Sequence, residues 1–566
     1  MILYLAQLAT FAAIFAILAA SYSLLLGSTG VFSAAHASFF GFGAYSAAWS
    51  ALTWELPFPV DLVIGALAAG VVAAIVSIPM SRLVSEQVLV ASLALQLVFA
   101  SVFENFVSYT GGSSGQYGIP RPEVLGVEIV DSFQFAQLAI VVAVLLVLGI
   151  GLLLRRRAGL IMRATRDDAL LAKSVGVTTT VPRLAAWVVS GAIAGAAGAL
   201  FARFIGYISP SSFGISQTLI ILTMVVVGGL GSTWGVVAGA VVLVALPELL
   251  TYLPAGIADS DQIEPLVYGL LLLVVVVFRP QGLLPERNVK LKDVSPAQVH
   301  VDGPAAQPTE TDQAAGDPLR MEGIRKSFGG LNVLTGIDLE LRPNEITAIL
   351  GPNGAGKTTL FNVLTGVIKP DAGTVRWGTR DVTFASPDAL ARLGMARSFQ
   401  DGRLFTSMTV YEHMLMAAGA GTGARTLTSL LGRMHEADTD DRIRRVLADL
   451  DLLDQANARV EDLSYGEQKT LLIAEMLLWG PGIVLLDEVA AGVDHRAVDD
   501  IASKIRGMRT PDRIICLVEH NLDFVWKTAD RVVLMGEGRI VADGTPDEIR
   551  SNPLALETYF GKAMLK

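Results

Sequence analysis

The stretch that decides the fold of the C-terminal half is Gly351-Pro-Asn-Gly-Ala-Gly-Lys357-Thr358-Thr359, which directly follows the apolar run Ile346–Leu350. It matches the pattern G-x-x-x-x-G-K-[S/T] in full, in the strand–loop–helix context that the pattern requires. Glycines let backbone N–H groups turn inward around phosphates. Lys357 supplies a positive charge for the β- and γ-phosphates, and Thr358 supplies a hydroxyl for Mg²⁺. The sequence therefore predicts a P-loop that binds the phosphates of a nucleotide together with Mg²⁺.

A second apolar run, Ile483-Val-Leu-Leu-Asp487-Glu488, ends in two carboxylates. A carboxylate at the end of a buried strand can hold Mg²⁺, and the next one can polarise an attacking water. We therefore predict that Asp487 binds the metal and that Glu488 is the general base. The alternative, a strand that ends in two solvated acids, is disfavoured by the P-loop upstream.

The segment Leu463-Ser464-Tyr465-Gly466-Glu467-Gln468 precedes that strand. By itself it is a helix start, with Ser464 as the N-cap and Glu467 three residues later. Between a P-loop and an Asp–Glu strand it resembles the ABC signature motif. Residues 319–566 are thus identified as an ABC transporter ATP-binding domain of the α/β P-loop class.

This resemblance implies a role for each matching residue. Catalytic roles fall to Glu488, to Gln400 of the glutamine loop, and to the switch histidine His520. Metal ligands are Thr358, Gln400 and Asp487. Nucleotide-binding roles are expected for Phe328, which would stack on adenine, and for Gly351, Asn353, Gly354, Gly356, Lys357, Thr358, Thr359, Ser464, Gly466, Gln468 and Asp494. Tyr465 and Val489 depart from common family residues, but neither change removes a phosphate or metal ligand, so hydrolysis is expected to survive.

Composition separates the two halves of this 566-residue chain, which is 52% hydrophobic and 17% charged. Soluble domains average roughly 25% charged residues. Residues 1–290 carry a net charge of −1 and the remainder −9. These values exclude a disordered chain, a fibrous chain and a purely soluble enzyme, and the acidity argues against a nucleic-acid partner. The single cysteine, Cys516, excludes an intrachain disulfide.

Apolar runs indicate a polytopic α-helical membrane domain over residues 1–283, with about 8–9 spans. The candidate spans are 4–26, 31–53, 58–79, 86–108, 131–154, 184–206, 215–230, 234–251 and 265–279. Residues 284–318 are rich in proline and charge, which predicts a flexible linker before the domain at 319–566.

Loop charge orients the membrane domain. The loop from Arg155 to Arg183 carries seven basic residues against Asp167 and Asp168, which predicts a cytoplasmic location. By parity, the ATP-binding half is also cytoplasmic, and the chain is expected in the cell (inner) membrane. Two interpretations of this basic loop remain open. It either docks as a coupling helix on an ATP-binding domain near Gln400, or only sets the topology.

Glycine is dense inside the spans. Close helix packing through small residues is one explanation, and broken helices along a transport path are the other. Three glycine-rich stretches are among those that carry a likeness: Ala35-His36-Ala-Ser-Phe39-Phe40-Gly41-Phe-Gly43, Thr110-Gly111-Gly112-Ser-Ser-Gly115, and Val227-Gly228-Gly229-Leu-Gly231-Ser-Thr-Trp234-Gly235. Together they resemble permeases of branched-chain amino acid ABC importers, here fused to the ATP-binding subunit.

The resemblance implies an importer driven by ATP hydrolysis through alternating access. Branched-chain amino acids are the expected solute, with urea, short amides or other small organic acids as alternatives. An ABC exporter and a membrane-anchored regulatory ATPase are the rival classes. One chain has one P-loop and one signature, so a second ATP-binding domain and a second permease are expected, in unlike subunits rather than by self-pairing. A separate extracytoplasmic binding protein would deliver the solute.

Overall fold

The computed structural model describes residues 2–124, 127–250, 263–291, 316–399, 403–419, 437–492 and 495–553. Contacts divide the chain into two compact units. The first comprises Met1–Arg166 and Thr179–Arg287, and the second comprises Asp167–Thr178 with most of the chain from Asn288 onward. The boundaries differ from the predicted ones at two places. The stretch Asp167–Thr178 of the basic loop belongs to the second unit, and so does the predicted linker from Asn288 onward, whereas residues 284–287 belong to the first unit.

The first unit is helical. Its helices, within the described residues, are α1 (Ile2–Thr29), α2 (His36–Thr53), α3 (Val60–Met80), α4 (Ser85–Asn105), α5 (Val107–Thr110), α6 (Ser132–Leu154), α7 (Arg157–Asp167), α9 (Thr180–Ile205), α10 (Ile215–Gly228), α11 (Thr233–Leu250) and α12 (Ile263–Phe278). The last residue of α7 and the short helix α8 (Ala169–Ser174) belong to the second unit. All nine predicted spans coincide with a helix. Six described helical segments are long and apolar enough to cross a membrane, and two apolar helices are shorter.

Helices α1, α2 and α9 are buried along most of their length and form the centre of this unit. Glycines allow α2, α3 and α9 to touch through their backbones. A Cβ atom added at Gly65 would lie 2.7 Å from the Gly43 carbonyl oxygen, and one at Gly195 would lie 2.5 Å from the Gly65 carbonyl oxygen. Close packing through small residues is therefore confirmed here. The chain also breaks between α10 and α11, where Gly229 and Gly231 have positive φ.

The outer helices carry apolar side chains on their exposed faces. On α3 these are Val63, Leu67, Val71, Ile75 and Ile78, which recur every three or four residues and so share one face. Helices α4, α6 and α12 also expose apolar side chains. Exposed apolar faces of this extent suit a hydrocarbon solvent rather than water.

Arg203 and Arg166 each form an ion pair with an acid that is distant in the sequence of the first unit. Arg203 of α9 pairs with Asp61 of α3, and both side chains are buried. Arg203 also donates hydrogen bonds to the carbonyl oxygens of Pro120 at 2.9 Å and Leu56 at 3.0 Å. A buried pair needs such additional bonds to offset desolvation. In the other pair, Arg166 Nη2 lies 3.0 Å from Glu286 Oε2.

The second unit contains two sheets that match the P-loop class. Four two-residue strands belong to the first unit: β1 (Gln116–Tyr117), β2 (Glu123–Val124), β3 (Val127–Glu128) and β4 (Tyr207–Ile208). The strands of the second unit are β5 (Leu319–Phe328), β6 (Leu331–Leu341), β7 (Ile346–Leu350), β8 (Ala372–Trp377), β9 (Arg380–Asp381), β10 (Met395–Arg397), β11 (Ile483–Asp487), β12 (Ile514–Val518), β13 (Arg531–Gly536) and β14 (Arg539–Gly544). The large sheet has the order β10-β11-β12-β7-β13-β14 and is parallel except for β14. The small sheet, β6-β5-β8-β9, is antiparallel.

Helices of the second unit flank these sheets. They are α13 (Lys357–Leu364), α14 (Pro387–Arg392), α15 (Val410–Ala418), α16 (Ala437–Asp449), α17 (Tyr465–Trp479), α18 (His495–Gly507), α19 (Leu522–Thr528) and α20 (Pro546–Ser551). Every residue of β7, β11 and β12 is buried. Because β12 lies between β7 and β11 and all three are parallel, the residues that follow them meet at one edge of the sheet.

Candidate nucleotide-binding site

The P-loop follows β7 at the centre of the large sheet. Gly351, Gly354 and Gly356 have φ values of 157°, 81° and 95°, which favour glycine. A Cβ atom at Gly356 would also lie 2.9 Å from the Val333 carbonyl oxygen. The loop leads directly into α13, whose first residue is Lys357. Conformation therefore favours glycine at all three positions, and packing also excludes a side chain at Gly351 and Gly356.

Lys357 is buried inside its own loop. Its Nζ donates to the Gly351 carbonyl oxygen at 2.6 Å and to the Pro352 carbonyl oxygen at 3.0 Å. Burial lowers the pKa of Lys357, whereas the carboxylates of Glu488 and Asp487 oppose that shift. Electrostatics thus links the P-loop lysine to both predicted acids, in agreement with the strand order.

Asp487 ends β11 and is buried. Its backbone N–H donates to Ser398 Oγ at 2.8 Å, and its Oδ2 lies 3.4 Å from Arg397 Nη2. Within the described part of the chain, its Oδ1 is buried and has no hydrogen-bond partner. Burial raises the pKa of Asp487, and the neighbouring charge of Glu488 adds to this, while Arg397 opposes it. A buried carboxylate oxygen without a donor is the kind of atom that a cation satisfies.

Glu488 and His520 meet across β11 and β12. Glu488 Oε1 lies 3.0 Å from His520 Nε2, and the Glu488 backbone N–H donates to the Val518 carbonyl oxygen at 2.9 Å. Glu488 has a φ of 50°, which is uncommon for a residue with a side chain. Such conformations concentrate at functional sites. The turn directs this carboxylate toward the histidine at the end of the adjacent strand.

Glu519 is a functional candidate that sequence reasoning missed. Its side chain is buried and accepts hydrogen bonds from the backbone N–H groups of Ala490 at 2.8 Å and His520 at 3.3 Å. Burial raises the pKa of Glu519 to about 7. The available signal was an acid directly after the apolar run Ile514–Val518. Arg397 was also missed, although its guanidinium holds Asn362, Thr365 and Asp487.

The signature segment starts α17. Ser464 caps this helix and Glu467 completes a capping box, as the sequence predicted. Gln468 donates to the carbonyl oxygens of Val460 at 3.3 Å and Leu463 at 3.2 Å. A Cβ atom at Gly466 would meet nothing within 4 Å. Among the described residues, the hydrogen bonds of Ser464 and Gln468 stay within residues 460–468 and do not reach the P-loop.

The remaining predicted residues are exposed or half-buried, or lie outside the described residues. The Phe328 ring is 46% exposed, with Lys326 Nζ 5.5 Å from its centroid. Asn353 and Thr358 are exposed, and Thr359 is half-buried. Gln400 and Asp494 lie outside the described residues.

Comparisons with known proteins cover both halves of the chain. Residues 4–276 match the model of the branched-chain amino acid transport system permease component, and residues 334–491 match the ABC transporter model. Over 250 residues, the chain is 37% identical to the high-affinity branched-chain amino acid transport ATP-binding protein LivG of Salmonella typhimurium, covering 43% of this chain and 98% of that protein.

The chain belongs to the branched-chain amino acid ABC transporter family.

Two further proteins are similar to the ATP-binding half. BraF of Pseudomonas aeruginosa, another protein named as a high-affinity branched-chain amino acid transport ATP-binding protein, is 34% identical over 250 residues, covering 43% of this chain and 98% of that protein. A solved nucleotide-free ATP-binding cassette from an ABC transporter is 30% identical and covers 44% of this chain and 100% of that chain, with a TM-score of 0.39. In this family member a permease domain and an ATP-binding domain share one polypeptide. The chain binds ATP and is an ATP hydrolase coupled to solute transport.

The basic loop of this transporter contributes α8 to the second unit, where the helix packs beside α14. Asp168 caps α8, and its Oδ2 lies 2.9 Å from Arg403 Nη1. The Ser407 backbone N–H donates to Asp167 Oδ2 at 3.0 Å, and its hydroxyl donates to the same carboxylate. Arg392 Nη1 donates to the Gly176 carbonyl oxygen at 3.2 Å. The predicted docking of this loop on the ATP-binding fold is confirmed, on residues that flank position 400.

Proposed function

We propose that this chain is the permease and ATP-binding subunit of an importer for branched-chain amino acids in the cell (inner) membrane, with its ATP-binding domain in the cytoplasm. One observation carries the proposal. A match to the branched-chain amino acid permease model over residues 4–276 continues, in the same chain, into an ATP-binding half 37% identical to LivG. A permease of this class supports import over export.

The proposed hydrolytic step uses groups at one edge of the large sheet. Glu488 accepts a proton from the water that attacks the γ-phosphate, which is the role of a positioned general base. His520, whose Nε2 lies 3.0 Å from Glu488 Oε1, orients that carboxylate and contacts the γ-phosphate. Lys357 and the N–H groups of the P-loop bind the phosphates, and Phe328 stacks on the adenine.

Mg²⁺ fits the oxygen atoms available in this site. The exposed hydroxyl of Thr358 and the buried Oδ1 of Asp487 would hold it, with Gln400 as a further ligand. The metal would neutralise charge on the β- and γ-phosphate oxygens. Burial raises the pKa of Asp487, and a cation at Oδ1 would oppose that shift by favouring the ionised carboxylate.

The complete transporter would contain a second permease domain and a second ATP-binding domain, in unlike subunits. The signature segment of one domain would close the nucleotide site of the other, through Ser464, Gly466 and Gln468. A solute-binding protein outside the membrane would deliver the amino acid. ATP binding would close the domain pair, because the γ-phosphate contacts favour the closed state over the open one.

The test is uptake of labelled leucine into proteoliposomes that contain the full-length chain, its partner subunits and its binding protein. We expect ATP-dependent leucine uptake and leucine-stimulated ATP hydrolysis. Glu488→Gln should abolish both while ATP binding is retained. Glu461→Gln, an equivalent change at an exposed acid, is the matched control.

Three results would contradict the proposal at different levels. ATP turnover that is indifferent to Glu488→Gln refutes the assigned base. Uptake of urea or short amides in place of leucine refutes the solute. Turnover that no solute or binding protein alters refutes transport as the function.

A further inference from the structure

The start of the predicted linker is bound to the ATP-binding fold. We call residues Asn288–Leu291 the clip. The Val289 backbone N–H donates to Glu412 Oε1 at 2.7 Å, and Thr409 Oγ1 donates to the Val289 carbonyl oxygen at 3.3 Å. Thus both backbone polar groups of one clip residue have partners in or next to α15.

Leu291 is held in the same manner, two residues further along. Its N–H donates to Asn457 Oδ1 at 2.8 Å, and Asn457 Nδ2 donates to its carbonyl oxygen at 3.2 Å. The Leu291 side chain is buried. A side-chain amide that pairs with both the N–H and the carbonyl of one residue recognises an extended backbone much as a neighbouring strand would. The pattern repeats at alternate residues, Val289 and Leu291, as expected for an extended segment.

Glu412 connects the clip to the ATP-binding fold. Its side chain is buried; its Oε2 accepts the Thr409 backbone N–H at 3.1 Å and so completes the capping box of α15. Its Oε1 accepts the Val289 N–H. One buried carboxylate therefore both caps α15 and binds the clip. Hydrogen bonds to a buried charged group are stronger than neutral ones.

The clip and the basic loop, which we call the coupling loop from here on, both contact Ser407. Ser407 donates to Asp167 of the loop through its N–H and its hydroxyl, while its carbonyl oxygen accepts from Asn288 Nδ2 of the clip at 3.4 Å. The coupling loop and the clip are far apart in sequence. They nevertheless bind the two backbone polar groups of Ser407, which lies in the segment 405–412. That segment begins five residues after Gln400, the predicted glutamine-loop residue, and leads into α15.

We infer that the clip is a second coupling element of this transporter, which holds the segment 405–412 together with the coupling loop. The inference rests on the proposed function. Because both stretches belong to the chain that carries the ATP-binding domain, their contacts form at a high effective concentration. The fusion thereby retains its own ATP-binding domain on its own coupling loop while ATP binding and hydrolysis move that domain.

Hydrogen exchange on the detergent-solubilised full-length chain tests the contact without any solute. The Val289 and Leu291 amides should be protected. Asn457→Ala, which removes both hydrogen-bond partners of Leu291, should speed exchange at Leu291 by about 25-fold, which is about fivefold for each of the two hydrogen bonds lost. Val289→Pro removes the N–H that binds Glu412, and Val301→Pro is the matched control within the linker. Val289 and Leu291 amides that exchange in wild type as fast as an unstructured peptide overturn the inference.

Uptake per ATP hydrolysed tests the coupling role in the proteoliposomes described above. In Val289→Pro and Asn457→Ala, basal ATP hydrolysis should stay within about twofold of wild type, while leucine uptake per ATP should fall by about fivefold for each lost hydrogen bond. Val301→Pro should change neither. Lost amide protection with unchanged uptake per ATP overturns the inference. Wild type that takes up no leucine contradicts the proposed function alone, because amide protection is measured independently of solute.

Discussion

Glu488 and Glu519 follow neighbouring strands of the large sheet, but they differ in burial and in hydrogen-bond partners. Glu488 follows β11, reaches His520 and retains 16% side-chain exposure. Glu519 follows β12, is buried, and accepts two backbone N–H groups. The sequence predicted a role for the first because an Asp–Glu pair after an apolar run has known chemistry. It could not predict the second, because nothing local to residue 519 reveals that the turn after Glu488 folds over its carboxylate.

Glu519 should make stability depend on pH. Burial raises its pKa from an ordinary value of 4.5 to about 7, so the folded state favours the protonated acid. Its contribution to stability is therefore complete below pH 4.5 and is lost as the pH rises through about 7, by roughly 3 kcal/mol. Glu519→Gln should lose less unfolding free energy between pH 5 and pH 8 than wild type does. Thermal unfolding of the full-length chain at several pH values measures this.

The control for that experiment is Glu461→Gln, at an exposed acid. It should leave the pH profile of wild type unchanged. Parallel profiles for wild type and Glu519→Gln would show that Glu519 stays ionised in the folded protein.

At the scale of elements, the coupling loop docks through its acids. The sequence drew attention to the arginines of this loop, and the loop does dock on the ATP-binding fold. Yet the contacts with Arg403 and Ser407 come from Asp168 and Asp167. Arg166 instead pairs with Glu286 inside the first unit. Charge composition could predict which side of the membrane the loop occupies, but not which side chains face a partner, because that depends on where α7 ends and α8 begins.

Asp168 has two functions that substitution can separate. Its Oδ1 accepts the N–H groups of Leu170 and Leu171 as the N-cap of α8, and its Oδ2 pairs with Arg403. Asp168→Asn keeps a good cap and loses the charge, whereas Asp168→Ala also loses the cap, which costs about 1 kcal/mol. We expect leucine uptake per ATP to fall more in Asp168→Ala than in Asp168→Asn, with ATP affinity unchanged in both. Arg403 is partly exposed, so the ion pair itself contributes little.

Asp454→Ala, at an exposed acid of the same unit, should match wild type in that assay. An Asp168→Asn variant as impaired as Asp168→Ala would assign the effect to the ion pair rather than to the helix cap.

At the scale of the whole molecule, the sequence predicted the two-part architecture because composition changes sharply along the chain. Apolar runs located the helices of the first unit, and the order of motifs located the P-loop fold. The discontinuous boundary of the second unit could not be predicted. Asp167–Thr178 and Asn288–Leu291 join it through contacts with residues such as Ser407 and Asn457, more than 100 positions away in sequence.

One P-loop and one signature segment per chain predict incomplete nucleotide sites in the isolated protein. If unlike subunits pair, the purified Glu488→Gln chain should keep the same mass with ATP as with ADP. Adding the unlike ATP-binding subunit should then give an ATP-dependent complex, because trapped ATP bridges the two domains. Mass measurement in detergent distinguishes the cases, with Lys357→Ala as the variant that cannot bind phosphate. An ATP-dependent doubling of mass by the chain alone would instead establish self-pairing.

The glycine contacts among α2, α3 and α9 constrain how such a machine can move. Where backbones touch at Gly43, Gly65 and Gly195, no side chain remains that could change rotamer and absorb a shift. We therefore expect these three helices to move together, and we expect bending to occur elsewhere in the first unit, for example at the break between α10 and α11. A single methyl group at Gly195 would meet the Gly65 carbonyl oxygen at 2.5 Å and would force these helices apart.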